Sequence, residues 1–156
     1  MAYYGDHMHD EPATLPERLR TMPSRLLTQA GAHAQRSSTD ALAPFGLRQH
    51  HYALLAALAE FGPASQSALS DRTGIYRSDL VGALNELTAR DLVARSPDPA
   101  DRRRNVITIS TAGHGQLRRL DTALRHAQDR LLAPLSDADR ARLIDLLGRL
   151  LGQHRP

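Results

Sequence analysis

The sequence predicts a mainly α-helical fold that carries one small β-hairpin. Three observations predict it. Leucine and alanine dominate a composition that is 41% hydrophobic and only 4% aromatic, a mix that favours packed helices over a β-sandwich. Apolar residues recur at helical spacing along most of the chain. The period changes at "LVARS" (Leu92 to Ser96) and "VITIS" (Val106 to Ser110), short β-branched runs that read as two strands.

With 156 residues the chain is long enough for one domain with a real core and too short for two comfortable ones. Cysteine is absent, which excludes disulfides, thiol redox chemistry and cysteine-rich zinc sites. No apolar run approaches the roughly 18 residues of a membrane span. The N-terminus, "MAYYGDHMHDEPAT", has no apolar stretch of the signal-peptide kind, so the cytoplasm is the expected compartment. Net charge is +3 with a pI near 9.9, and all 20 basic residues are arginine. GC-rich coding accounts for the bias, yet the consequence is physical: arginine is always charged, and its planar fork fits phosphate and guanine.

Taken in order, residues 1–13 read as a mobile arm, where Asp6, His7, His9, Asp10 and Glu11 form a solvated tail rather than a metal site. From Thr14 to about Ala43 the pattern is helical, with Leu15, Leu19, Met22 and Leu26 spaced by four, three and four. Pro16 fits its first turn, while Pro23 is expected to disturb it by removing a ladder hydrogen bond. "APFG" (Ala43 to Gly46) is a break. Leu47, His51, Leu54, Leu58 and Phe61 form the stripe of the next helix, which Gly62-Pro63 stops.

Ser65 can cap a short helix, "SQSALSDRT", that ends at Gly74, and a second helix follows from Arg77 to about Arg90. Two short helices on a glycine turn make a helix-turn-helix pattern, weakly specific alone. The two strands come next. Ser110 or Thr111 caps a long helix to about Ala133, with Leu117, Leu120, Leu124, Ala127 and Leu131 on one side. Pro134 ends it. Ser136 and Asp139 then cap a last helix with a broad stripe of Leu143, Leu146, Leu147, Leu150 and Leu151. A hairpin directly after a helix-turn-helix is the winged-helix arrangement.

The loop between the strands, "DPADRRRN", places Arg102, Arg103 and Arg104 at the tip of that wing. A basic hairpin beside a helix in the major groove can reach the adjacent minor groove, whose negative potential over A·T-rich sequence suits arginine. Asp98 and Asp101 are positioned to fix guanidinium rotamers and hold the loop, and Pro97 and Pro99 stiffen it. On the second helix of the pair, Leu80, Leu84 and Leu87 face inward while Ser78, Gly82 and Asn85 face outward, flanked by Asp79, Val81 and Glu86. Gly82 is read either as close approach to DNA or as internal packing. Asn85 can pair with adenine and Asp79 can accept from cytosine; Tyr76 and Arg77 sit at the end that enters the groove. Asp79 and Glu86 would repel phosphate, so the helix is a selective reader. Ser65 and Gln66, at the start of the first helix of the pair, complete the expected contact set.

These residues resemble a known family. "LSDRTGIYRSDLVGALNELTARDLVARSPDPADRRRNVITISTAG" (Leu69 to Gly113) is similar to the MarR-type winged-helix transcriptional regulators, most specifically in the wing segment D-P-x-D-R-R followed by a strand and "STAG". The resemblance covers roughly residues 14–153 and implies a homodimer joined through its terminal helices (14–46 and 114–153) around a DNA-binding lobe (47–113). It also implies a pseudo-palindromic double-stranded operator, usually for repression, with release by small, often aromatic ligands. By position, the family's wing arginine falls at Arg103, with Asp101 and Arg102 as the D-R pair. The chain departs where the family often has a serine, here Tyr76, and often a basic residue near Gly82. One branch of the family senses peroxides through cysteine, which this chain lacks.

The ligand pocket implied by the resemblance draws on His33, Arg48, His50, His51 and Tyr52, with Arg48, His50 and Tyr52 suited to an anionic aromatic compound. His51, on the apolar stripe, is also read as a satisfied buried histidine. No metal-ligand spacing is present, and no cofactor is expected. The rival function is a winged-helix module that binds protein instead of DNA. An enzyme is disfavoured because no G-x-S-x-G, H-E-x-x-H or Walker motif occurs.

Overall fold

The computed structural model describes residues 14–152, so the N-terminal arm with its acids and histidines lies outside the described residues. The chain divides between His33 and Ala34 into two units.

The first unit holds α1 (Glu17–Arg20) and the start of α2 (Pro23–Leu42). The sequence predicts one helix disturbed at Pro23. The structure instead breaks at Thr21 and Met22, and Pro23 opens α2, the first-turn position where a missing N–H costs nothing. Pro16 stands just ahead of α1, as its N-cap residue. Leu15, Leu19, Met22 and Leu26 are all exposed.

The second unit holds the rest of α2, a 3₁₀ turn (Ala43–Phe45), α3 (Gln49–Phe61), β1 (Ala64–Ser65), α4 (Gln66–Thr73), α5 (Arg77–Ala89), β2 (Val93–Pro97), β3 (Asn105–Ile109), α6 (Thr111–Leu131) and α7 (Asp137–Leu150). Gly46 closes the 3₁₀ turn with φ +64, in the left-handed region glycine enters freely. The core is built from Leu42, Leu47, Leu54, Leu55, Leu58, Leu69, Leu80, Leu84, Leu87, Ile107, Leu120 and their neighbours, all within this unit. Each such leucine contributes about 1.5–3 kcal/mol by leaving water, which is what holds α3, α4, α5, α6 and the sheet together.

The helix caps follow the sequence. Ser65 Oγ accepts from the Ala68 N–H at 3.1 Å, Ser110 Oγ from Gly113 at 2.9 Å, and Ser136 Oγ from Asp139 at 3.2 Å. Two apolar residues fall outside their expected stripes. Phe61 is 57% exposed at the end of α3, where its ring lies under the Arg72 guanidinium, 5.1 Å from the centroid. Leu131, in the last turn of α6, is also exposed. On α7 no residue is buried; Ile144, Leu146 and Leu150, and Leu151 just after the helix, are open to solvent.

The sheet has three strands in the order β1-β3-β2, all antiparallel. The sequence predicts only the hairpin. β1 is two residues long, Ala64 opposite Ile107 and Ser65 opposite Val106, too short to carry a periodic signal. Both hairpin strands sit one residue away from their expected bounds. Leu92 closes α5 instead, its N–H donating to Leu87 O at 3.0 Å, and Ser110 caps α6. Pro97 is tolerated in β2 because that strand is the sheet edge, where no partner needs its missing N–H.

Candidate nucleic-acid interface

The turn between α4 and α5 is tied by side chains rather than left loose. Gly74 takes φ +70 and its N–H donates to Ser70 O at 2.9 Å. Ser70 Oγ donates to Ile75 O at 2.7 Å, Thr73 Oγ1 donates to Leu69 O at 2.6 Å, and the Ile75 side chain is buried. This fixes the angle at which α5 leaves α4.

Leu80, Ala83, Leu84 and Leu87 face the core, whereas Tyr76, Arg77, Ser78, Asp79, Val81, Gly82, Asn85 and Glu86 are exposed, as the helical period predicts. Tyr76 is the N-cap residue of α5, makes no side-chain cap bond and is 80% exposed. Arg77 Nη2 donates to Ser67 Oγ at 3.4 Å, linking the two helices. A Cβ at Gly82 would meet nothing within 4 Å, so packing within the chain is not the reason for a glycine there. Ser65 is half-buried with its hydroxyl engaged as a cap, and Gln66 is half-buried beside it.

The wing is a stiffened loop on the β2–β3 hairpin, closed by Asp98 N–H to Arg104 O at 2.8 Å and Arg104 N–H to Asp101 O at 2.9 Å. Asp98 Oδ1 accepts from the Ala100 N–H at 2.9 Å. Asp101 Oδ1 accepts from both the backbone N–H and Nε of Arg103, each at 3.1 Å, and Oδ2 lies 3.8 Å from Arg104 Nε. The Arg103 hydrogen bonds, side chain then backbone, hold the Asp101 carboxyl below its ordinary pKa. Arg103 nevertheless keeps 90% of its side chain in solvent, and Arg102 and Arg104 are exposed too.

Glu86 is not the free acid that the sequence suggests. Its Oε1 accepts from Arg48 Nη2 at 2.7 Å, and its Oε2 lies 3.0 Å from His51 Nε2, a short contact bent away from good hydrogen-bond geometry. His51 is fully buried and its Nδ1 accepts from the Arg48 N–H at 2.9 Å. Burial lowers the His51 pKa, against the pull of Glu86 in the other direction.

Two clefts adjoin α5. One, of about 560 Å³, is walled by Arg48, His50, Ser78, Gly82 and Glu86 among others. The other, of about 660 Å³, is walled by His50, Tyr52, Ile75 and Tyr76. Tyr52 Oη donates to Asp121 Oδ1 at 2.9 Å, and burial followed by that carboxylate raises the Tyr52 pKa. His51 walls neither cleft, and His33 lies on α2 in the first unit. Among the described residues no group of three or more His, Cys, Asp or Glu is placed to hold a metal ion. Sequence reasoning missed the Glu86 contacts, because Arg48 and His51 at the start of α3 are remote from Glu86 along the chain and no local spacing links them.

A rigid turn between two short helices, a polar exposed face on the second, and a braced arginine-tipped hairpin define the winged helix-turn-helix class of DNA-binding proteins. The chain belongs to the MarR family of transcriptional regulators, whose family description matches residues 45–104. It is 32% identical over 133 residues, 80% of either chain, to a protein of Thauera aromatica described as a transcriptional regulatory protein for the hcr operon. The crystal structure of a transcriptional regulator from Pseudomonas aeruginosa is 33% identical, with a TM-score of 0.77 over 85% of this chain and 99% of that one. CouR from Rhodococcus jostii, solved bound to p-coumaroyl-CoA, is 25% identical, with a TM-score of 0.76 over 90% of this chain and 99% of that one. The family is one of DNA-binding regulators and not of enzymes, which sets aside the reading as a protein-interaction module.

Proposed function

We propose that the protein is a homodimeric repressor that grips a pseudo-palindromic operator with α5 and the wing and releases it on binding a small anionic aromatic ligand. The observation that carries this reading is Arg103, held by Asp101 yet nearly fully exposed at the wing tip. A guanidinium already fixed in place loses little freedom on entering a groove. Tyr76, Arg77, Ser78, Asp79, Val81, Gly82 and Asn85 of α5, with Ser65, Gln66, Asp101, Arg102 and Arg104, supply the remaining contacts.

Dimerisation through residues 14–46 and 114–153, around a 47–113 lobe, is supported by α7, which carries a leucine-rich stripe and has no buried residue. Such a stripe needs a partner. The ligand reading is supported by the two clefts beside α5, with Arg48, His50 and Tyr52 on their walls, and by CouR, which is bound to p-coumaroyl-CoA. Among the described residues no helix is long and apolar enough to cross a membrane, and a protein that acts on operators works in the cytoplasm with the DNA.

The test is selection of bound duplexes from a random pool. The expected product is an inverted repeat whose half-sites lie about one helical turn apart. Recovery of no enriched sequence, or of a single half-site, would count against this reading.

A further inference from the structure

Glu86 is the residue that a DNA-reading helix should least carry, since it lies one turn beyond Gly82 on the exposed face of α5. Two contacts draw it away from that face, and a third ties the two partners to each other. Arg48 Nη2 donates to Oε1 at 2.7 Å. His51 Nε2 faces Oε2 at 3.0 Å. His51 Nδ1 in turn accepts the backbone N–H of Arg48 at 2.9 Å, which puts the proton of the neutral ring on Nε2, toward Glu86. The contacts close a ring between the first turn of α3 and the last turns of α5. One turn further on, Arg90 Nη1 donates to Phe45 O at 3.0 Å and to Gly46 O at 3.3 Å, so the same end of α5 is fastened to the segment that leads into α3.

An ion pair with side chains 67% and 51% exposed adds little to folding stability, because water screens it and two long side chains are immobilised. Its consequence lies at the surface. Resting on the reading of α5 as the DNA-facing helix, we infer that Arg48 and His51 are positioning residues for DNA binding: both hold the Glu86 carboxylate back against α3 and Arg48 cancels its charge, so that α5 meets phosphate without repulsion and at a set rotation. Without Arg48, the carboxylate is released beside Gly82 and Asn85 and faces the duplex.

The experiment uses the full chain and two probes, the duplex selected from the random pool and a mixed-sequence duplex, titrated across a salt series. Wild type is measured first; if it binds neither duplex, the functional reading fails and the clamp with it. With wild type bound, Arg48→Met is expected to weaken the selected duplex about tenfold, the scale of one unmasked like charge at a charged interface, with an unchanged melting curve. Arg48→Lys is expected to retain most of the affinity. The deciding variant is Arg48→Met with Glu86→Gln, which is expected to recover most of the loss, since the charge to be masked is gone. If Arg48 instead touches phosphate directly, the double variant stays weak and the salt slope falls by about one, which overturns the clamp. Full affinity in Arg48→Met alone overturns it as well.

Discussion

Asp101 Oδ1 receives two hydrogen bonds from Arg103, one from the backbone N–H and one from Nε, both at 3.1 Å. A single carboxylate oxygen therefore sets both the loop and the direction of its arginine. Asp101→Ala makes the chain more positive, which by net charge alone should favour DNA. The expected outcome is the opposite: affinity falls several-fold because the guanidinium must be ordered on binding, while the salt slope is unchanged. Arg103→Ala is expected to lower affinity and reduce the salt slope by about one. Affinity titrations at several salt concentrations separate the two. A gain in affinity for Asp101→Ala would refute the bracing role.

Gly82 tests the approach of DNA to α5. With no atom within 4 Å of a Cβ, Gly82→Ala is expected to stabilise the fold by about 1 kcal/mol, the helix-propensity difference. Operator affinity is expected to fall, because the new methyl stands between backbone and groove. Thermal melts and DNA titrations on one preparation give both values, and a variant that is more stable and binds as tightly as wild type leaves the glycine without a DNA role.

Gly113 has the opposite surroundings. A Cβ there would collide with the Leu92 carbonyl oxygen and stand 2.7 Å from Ile109 Cγ1, so the start of α6 would have to move off Leu92 and β3. Gly113→Ala is expected to cost about 1–3 kcal/mol, the range for overpacking. Gly115→Ala is its control, since the added methyl would meet only the flexible Arg118 Nη2 at 3.8 Å. Denaturant unfolding of the two variants should move in opposite directions.

His51 gives a pH dependence whose sign follows from burial. Its folded pKa lies below the ordinary 6.5, so in acid the unfolded chain takes up the proton first. The stability that the neutral ring contributes is complete above about pH 6.5 and is lost as pH falls through the lower folded value. Melting temperatures of wild type should drop more steeply between neutral pH and pH 5 than those of His51→Gln. Equal slopes would mean that the buried ring does not titrate against folding.

Much of this fold can be read from order alone. Ser65, Ser110 and Ser136 announce their helices because a hydroxyl three residues ahead of an amide is a local device, complete within one turn. Leu80, Leu84 and Leu87 announce the buried side of α5 because 3.6 residues per turn leaves them no other shared direction. The arginine wing shows in the sequence for the same reason: its charge, its prolines and its bracing aspartate all lie within the nine positions of "PDPADRRRN" (Pro97 to Asn105).

Contacts between residues far apart along the chain had to wait for the folded molecule. β1 exists only because Ala64 and Ser65 come to lie against Ile107 and Val106. Glu86 looked like a free anion until Arg48, thirty-eight residues earlier, was seen to hold it. Helical period cannot tell a leucine on α5, which is buried, from one on α7, which is open to solvent. Local spacing decides which face of an element is apolar; what that face or charge meets depends on chain packing, and no periodicity encodes it.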